Sequence, residues 1–240
     1  MSNFIQYAVV GAFALLAMLS VLTWTLIVAK ALLYARIALG NRRHAARRSD
    51  RAALTMPTDD DAASSMNARL QRAICHALRD FEAAEPGAPA ALVAWDRRDL
   101  LERTLAREIR REQRPLERGL TVLASTANVA PFIGLFGTVF GIVHTLQAMT
   151  ASGTNGIEAI AGPIGQALVA TGVGIGVAIP AVLAYNLFLR RLKTVTAALD
   201  EFGQDLIARA EQRQFRLDAP PVHAAMPDAR TAGATRRAAV

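Results

Sequence analysis

Three long apolar stretches dominate the pattern of hydrophobic and polar positions along this chain. The first lies near the N-terminus and has no charged residue before Lys30. The second and third, 119–157 and 159–189, contain no Asp, Glu, Lys or Arg and are separated by Glu158 alone. Each is longer than the roughly 20 residues that an α-helix needs to cross a bilayer. The pattern therefore predicts three transmembrane helices, at about 6–34, 123–148 and 163–189.

Between and after these stretches, apolar residues recur at spacings of three and four, which is typical of one face of an amphipathic helix. The three sets are Leu70, Ile74, Leu78 and Phe81; Leu101, Leu105 and Ile109; and Leu192, Val195, Leu199, Phe202 and Leu206. We expect a helix at 62–84, a break at the EPGAP segment, and a helix from 90 that continues through Pro115 with a kink there. The Arg and Glu residues of that helix indicate a solvated face. The last set predicts packing against helices of this chain or of other copies.

The distribution of basic residues predicts the topology. Lys and Arg cluster after the first span, before the second and after the third, and they are absent before the first span and between the last two. By the positive-inside rule, the N-terminus is periplasmic and the C-terminus cytoplasmic in a bacterial inner membrane. The expected segments are a first transmembrane helix (1–35), a cytoplasmic helical segment (36–118), a second transmembrane helix (119–150), a periplasmic loop (151–161), a third transmembrane helix (162–190), a cytoplasmic helix (191–217) and a disordered tail (218–240).

Composition removes several classes of function. The net charge is +7, and the arginines that contribute to it lie beside the apolar stretches, where they indicate topology. We therefore expect no nucleic-acid partner. The single Cys75 is expected to be a small core residue, and the four histidines are scattered. Because there is no phosphate-binding loop, nucleophile elbow or ligand cluster, we expect no enzyme, no catalytic residue, no metal and no cofactor.

Polar residues inside the second and third spans are the candidate chemistry. On ideal helices Thr138 lies about 15 Å, and Thr171 about 12 Å, from the outer ends, so the two threonines are expected at similar depth. Thr145 is about two turns outward of Thr138 on the same face, whereas His144 is turned about 120° from Thr138, and Gln166 about 140° from Thr171. One straight polar stripe through all five is not expected. Each threonine could instead bond its own backbone or join two helices.

Two further features bear on the pair of spans. Gly137 and Gly141, and again Gly172 and Gly176, are four residues apart, a spacing that permits close helix packing. His144 and Gln166 lie near the outer boundary, where they are expected to reach headgroups, with a proton-relay role as the other hypothesis. The span interiors contain no titratable acid. If this chain conducts protons, another subunit must supply the carboxylate.

The segments APFIGLFGTVFGIVHTL (130–146) and GPIGQALVATGVGIGVAIPAVLAYN (162–186) resemble the signature segments of the ExbB/TolQ/MotA proton-channel family, and are most similar to ExbB and TolQ. The resemblance implies an all-α homopentameric ring that encloses helices of a single-span ExbD- or TolR-like partner. Thr138 and Thr171 would line its pore and face an aspartate of that partner. The ring would pass work to a TonB- or TolA-like protein. Pro131 and Pro180, within these segments, are assigned with the glycines to helix packing.

Many ExbB and TolQ proteins have an acidic residue where this chain has Gln166, so no titration is transferred to that position. Three other functions stay open. A TolQ-like subunit would energise TolA for envelope maintenance, and a flagellar stator would push a rotor, although such stators usually have four spans. A passive membrane scaffold would only house partner helices. The favoured hypothesis is an ExbB–ExbD-type subunit that energises TonB-dependent import across the outer membrane.

Overall fold

The computed structural model describes residues 2–47, 56–57, 59–84, 90–152 and 157–215. Almost all of these residues are helical, which confirms the all-α prediction for this part of the chain. The helices are α1 (Ser2–Arg47), α2 (Asp59–Ser64), α3 (Met66–Ala84), α4 (Ala90–Glu117), α5 (Leu120–Ser152) and α6 (Ile157–Gln212). The EPGAP segment, the tail at 218–240 and the middle of the 151–161 loop lie outside the described residues.

Three of the helical stretches are long and apolar enough to cross a membrane, as predicted, and they belong to α1, α5 and α6. The helices α1 and α6 extend beyond their apolar parts. The helix α1 continues to Arg47, and α6 is one uninterrupted helix of 56 residues. At 1.5 Å per residue, α6 is about 84 Å long, whereas the hydrocarbon core of a bilayer is about 30 Å thick. The predicted segments 162–190 and 191–217 are therefore largely parts of one rod.

The apolar parts of the three long helices pack together through a small internal cluster of Leu16, Ala130, Val177 and Ala178. Most of the larger apolar side chains on these helices point away from it. The strongly exposed ones include Tyr7, Val10, Met18, Val21, Trp24, Phe132, Leu168 and Leu183. An exterior of this kind is stable only when lipid or other apolar helices cover it.

A second, larger core joins α3, α4 and the C-terminal half of α6. It contains the predicted faces of all three amphipathic helices: Leu70, Ile74 and Leu78; Leu101, Leu105 and Ile109; and Leu192, Leu199 and Leu206 are buried, with Val195 and Phe202 packed against them. The Phe81 side chain is outside the described residues. Within this chain, the stripe after the third apolar stretch therefore packs on α3 and α4. Cys75 is buried in the core, as expected.

One charged pair corrects the expectation that the Arg and Glu residues of α4 form a solvated face. Glu112 is only 8% exposed. Its carboxylate accepts two hydrogen bonds from Arg69 of α3, at 2.6 Å from Nε and 2.7 Å from Nη2. The hydrogen bond to Glu112 raises the pKa of Arg69 above its usual value. This bidentate pair clamps α3 to α4 beside their apolar contact.

The junction between α4 and α5 also differs from the prediction. Pro115 lies inside α4, and the interruption falls at Arg118 and Gly119, where Gly119 has a φ of 81°. This left-handed conformation favours glycine. The buried Lys30 of α1 donates from Nζ to the carbonyl oxygen of Pro115 at 3.3 Å and to that of Leu116. In an unbroken helix these carbonyls would accept from the amides of residues 119 and 120.

The Lys30 contact predicts a local effect on stability. In Lys30→Met the two carbonyls lose a charged donor while a similar volume is kept. We expect the free energy of unfolding in detergent micelles to fall by about 1–3 kcal/mol. Amide hydrogen exchange at 116–123 should accelerate. Lys193→Met removes an exposed cation and is the matched control, with an expected change within about 0.5 kcal/mol. Equal stability of the two variants would contradict a role for Lys30 in holding the junction.

Candidate functional site: a threonine pair between α5 and α6

Thr138 of α5 and Thr171 of α6 meet side by side, as their predicted depths require. Their hydroxyl oxygens are 3.5 Å apart, at the outer limit of a hydrogen bond. The Thr138 hydroxyl also donates to the carbonyl oxygen of Leu135 at 2.8 Å. Backbone bonding and helix joining, both anticipated for membrane threonines, thus occur together at this pair.

The two threonines differ in access. Thr138 is only 5% exposed, and its proton is engaged by the Leu135 carbonyl. Thr171 is half-buried, so part of its side chain faces outward from the α5–α6 contact. A ligand at this position would therefore meet the Thr171 side chain before that of Thr138.

Glycine at the crossing point of α5 and α6 makes this arrangement possible. A Cβ atom added at Gly134 would lie 2.7 Å from the Ala170 carbonyl oxygen and 3.2 Å from the Cα of Gly174. One added at Gly174 would lie 2.7 Å from the Ala130 carbonyl oxygen. Since these obstacles are backbone atoms, they cannot rotate away. The Gly134–Gly174 contact lies about one turn from Thr138 and Thr171 and sets the distance between them.

The predicted packing glycines divide into two groups. Gly137 and Gly141 do lie against α6: an added Cβ would be 3.0 Å from the Ala170 Cβ and 2.7 Å from the Ala167 Cβ, respectively. At Gly172 and Gly176 an added Cβ would meet no atom of the described residues within 4 Å. Their packing role stays a prediction for contacts with other chains. Pro131 and Pro180 lie within continuous helices, α5 and α6.

The outer polar residues form a separate group. His144, Thr145 and Gln166 line one cavity of about 440 Å³, which is closed on its third side by Val9, Val10 and Phe13 of α1. The Thr145 hydroxyl donates to the Gly141 carbonyl oxygen at 3.0 Å. Neither Thr138 nor Thr171 lines this cavity. The threonine pair is therefore separate from the cavity of the three outer residues.

Lys30 is the residue that sequence reasoning missed. The sequence alone marks Lys30 only as the end of the first apolar stretch. In the structure its side chain is 5% exposed and hydrogen-bonded to the α4–α5 junction. A signal was present, because an ionisable side chain inside an apolar span normally has a specific partner. Among the described residues, no group of three or more His, Cys, Asp and Glu side chains is arranged to hold a metal ion.

Comparison with known proteins agrees with this architecture. A profile of the MotA/TolQ/ExbB proton channel family matches residues 62–201. The biopolymer transport protein ExbB of Neisseria meningitidis serogroup A is 37% identical over 201 residues, covering 83% of this chain and 90% of that protein. The ExbB of Xanthomonas campestris is 44% identical over 110 residues, 46% of this chain and 44% of its own. The Tol-Pal system protein TolQ of Haemophilus influenzae is 32% identical over 148 residues, 60% of this chain and 63% of that protein.

The family match and the extent of the ExbB similarity establish that the chain belongs to the MotA/TolQ/ExbB proton channel family. It is a membrane protein with three apolar helices of spanning length. The motif segments 130–146 and 162–186 fall on α5 and α6, the two helices that present the threonine pair.

The glycine contact predicts a position-specific effect of one methyl group. In Gly174→Ala the new Cβ would press on the backbone of α5, so we expect a loss of about 1–3 kcal/mol in stability in detergent micelles. Gly165→Ala is the matched control on the same helix, because a Cβ there meets nothing within 4 Å. It should be neutral or stabilising, since alanine favours helix more than glycine does. If both variants unfold at the same denaturant concentration, the close crossing at Gly174 is wrong.

Proposed function

We propose that this chain is the multi-span subunit of an ExbB–ExbD-type motor in a bacterial inner membrane, driven by the proton-motive force and energising TonB-dependent outer-membrane import. The observation that carries the proposal is the Thr138–Thr171 contact in a pair of helices whose apolar stretches contain no Asp, Glu, Lys or Arg. Such a site can solvate a charge but cannot supply one. The 37% identity to a protein named as ExbB supports the same assignment.

The mechanism follows from the electrostatics of a carboxylate in a low-dielectric environment. An ionised aspartate on a partner helix is costly within hydrocarbon. The Thr171 hydroxyl, which donates to Thr138 Oγ1 when no partner is present, can donate its one proton to the carboxylate instead, and this hydrogen bond lowers the cost at one position of the wall. Protonation removes the charge and lets the partner helix move along apolar wall. Each proton that crosses provides about 2.3 kcal/mol per 100 mV of membrane potential.

The proposed assembly is a pentamer around one or more single-span, ExbD-like partner helices. The apolar exterior of α1, α5 and α6 supports it, because helices of other chains can cover these exposed side chains. Gly172 and Gly176 would allow a helix of another chain to approach α6. The arginine distribution supports a periplasmic N-terminus and a cytoplasmic C-terminus. The core of α3, α4 and the end of α6 would then lie in the cytoplasm.

The outer cavity has a secondary place in this proposal. His144, Thr145 and Gln166 lie where protons would enter from the periplasm, and their side chains can donate and accept hydrogen bonds. We assign them to the entrance of the proton pathway. The neutral amide of Gln166 binds without titrating, so the essential membrane acid belongs to the partner.

A TolQ-like function is the second candidate, favoured by the similarity to TolQ of Haemophilus influenzae over 60% of this chain. The same threonine chemistry would serve it, with a TolA-like protein receiving the work. The function of a passive scaffold would not depend on proton transfer.

The threonine pair predicts an unequal loss of function. In cells that rely on this gene, Thr171→Val should reduce energised uptake through a TonB-dependent receptor by about tenfold or more, since a hydrogen bond to a charged group contributes about 1.5–3 kcal/mol. Thr138→Val should reduce it less, because its hydroxyl donates to Leu135. Thr23→Val is the control: Thr23 is buried and its hydroxyl has no hydrogen-bond partner. Assembly should be unchanged in all three, and full activity of the double valine variant would refute the mechanism.

Deletion of the gene tests the pathway, and the mass of the purified complex tests the assembly. Deleting the gene should abolish TonB-dependent uptake while cells still exclude a membrane-impermeant dye. If the deletion strain instead admits the dye and keeps its TonB-dependent uptake, the result would support the TolQ-like function. The purified complex should have the mass of five copies of the 25.7 kDa chain together with its partner. Collapse of the membrane potential should stop uptake, whereas a scaffold would be indifferent to it.

A further inference from the structure

A groove lies where α1 leaves its apolar stretch and meets α2 and α3. Its volume is about 380 Å³. Leu33 and Ile37 of α1 and Met66 of α3 provide an apolar wall, and the side chains of Arg36 and Arg43 line the same space. The groove is therefore amphiphilic, with hydrocarbon and cationic surfaces side by side.

Within the described residues, two of the arginines that line the groove lack an acidic partner. Arg36 and Arg43 are both exposed, and neither forms an ion pair with another residue in the part of the chain that the structure describes. They are seven positions apart, about two helical turns, and so share one face of α1. Arg69 also lines the groove, but Glu112 neutralises it. No acidic residue is among the lining residues.

The position of the groove along α1 matches a membrane boundary. Apolar residues continue past Arg36 to Leu39, and the polar sequence begins at Asn41. An arginine at such a boundary extends its guanidinium toward the headgroup layer while its methylenes stay on apolar surface. Ser65 Oγ donates to Asn41 Oδ1 at 3.0 Å and holds the α2–α3 corner against α1. The walls of the groove are therefore helices that pack against each other, α1 on one side and the α2–α3 corner on the other.

We propose that this groove binds one anionic phospholipid, with the phosphate between Arg36 and Arg43 and the first methylenes of its acyl chains on Leu33 and Ile37. Basic pockets between helices at the cytoplasmic surface are suited to anionic headgroups. A free phosphate would satisfy the two guanidinium groups but leave the apolar wall in contact with water, so the lipid fits both surfaces. The bound lipid bridges α1 to α3, and it is independent of the proton-coupled function proposed above.

The experiment measures lipid binding to the full chain purified in a neutral detergent, by native mass spectrometry during titration with dioctanoyl phosphatidylglycerol. Wild-type protein should retain one lipid with high occupancy and should bind dioctanoyl phosphatidylcholine much more weakly. In Arg36→Gln/Arg43→Gln the dissociation constant should rise roughly thirtyfold at low salt, since each cation near the surface contributes on the order of a factor of five. Arg36→Lys/Arg43→Lys should retain most of the affinity.

Two further variants make the test specific. Arg42→Gln/Arg191→Gln removes the same charge from exposed positions that do not line the groove, and its affinity should stay within about twofold of wild type. Ala63→Phe fills the groove without changing its charge and should also weaken binding strongly, which keeps the proposal testable if the glutamine pair does not fold. Energised uptake is measured in parallel, so that failure of lipid binding and failure of proton coupling are read separately.

Three results would overturn the proposal. Equal loss of affinity in the Arg42 and Arg191 control would mean non-specific attraction to a basic surface. Unchanged binding in Ala63→Phe would place the lipid elsewhere. Displacement of the lipid by an equal concentration of inorganic phosphate would assign the two arginines to a free anion.

Discussion

The backbone contact between α5 and α6 at Gly134 and Gly174 is the constraint on which the rest of the apolar region depends. Within a bilayer, helices gain no hydrophobic stabilisation from association, because lipid is as apolar as leucine. The stabilisation of helix association must instead come from close van der Waals contact. At Gly134 and Gly174, only glycine leaves room for the carbonyl oxygens of Ala170 and Ala130. The same contact places Thr138 against Thr171, so packing and the candidate chemistry have one cause.

The helix α6 connects this site to the other half of the molecule. It carries Thr171 in its apolar part and Leu199 and Leu206 in the core with α3 and α4, without a break between them. On the opposite side, α4 and α5 are separated at Gly119, and Lys30 bonds the carbonyls that precede this turn. The connection through α6 is thus a continuous rod, whereas the connection through α4 and α5 has a joint at Gly119 that Lys30 of α1 helps to hold.

Much of the architecture could be predicted because it depends on local pattern. The apolar stretches identified α1, α5 and α6, and the stripes of Leu70, Leu101 and Leu199 identified the faces that form the second core. Equal depth of Thr138 and Thr171 follows from helix rise alone. The sequence did not identify the glycine of α6 that contacts α5. Its spacing indicates Gly172 and Gly176, whereas the rotation of α6 about its own axis brings Gly174 to α5. Sequence spacing does not contain that rotation.

By itself, the sequence determined that the chain has three apolar segments of spanning length, that the second and third contain paired threonines at one depth, and that their interiors lack an acid. These are properties of residue order and the 1.5 Å helix rise. Tertiary structure alone decided that Thr171 is the accessible threonine, that Glu112 is buried against Arg69, and that Lys30 holds the α4–α5 junction. Each depends on contacts between residues far apart in the chain, where burial and partner are set by how whole helices pack.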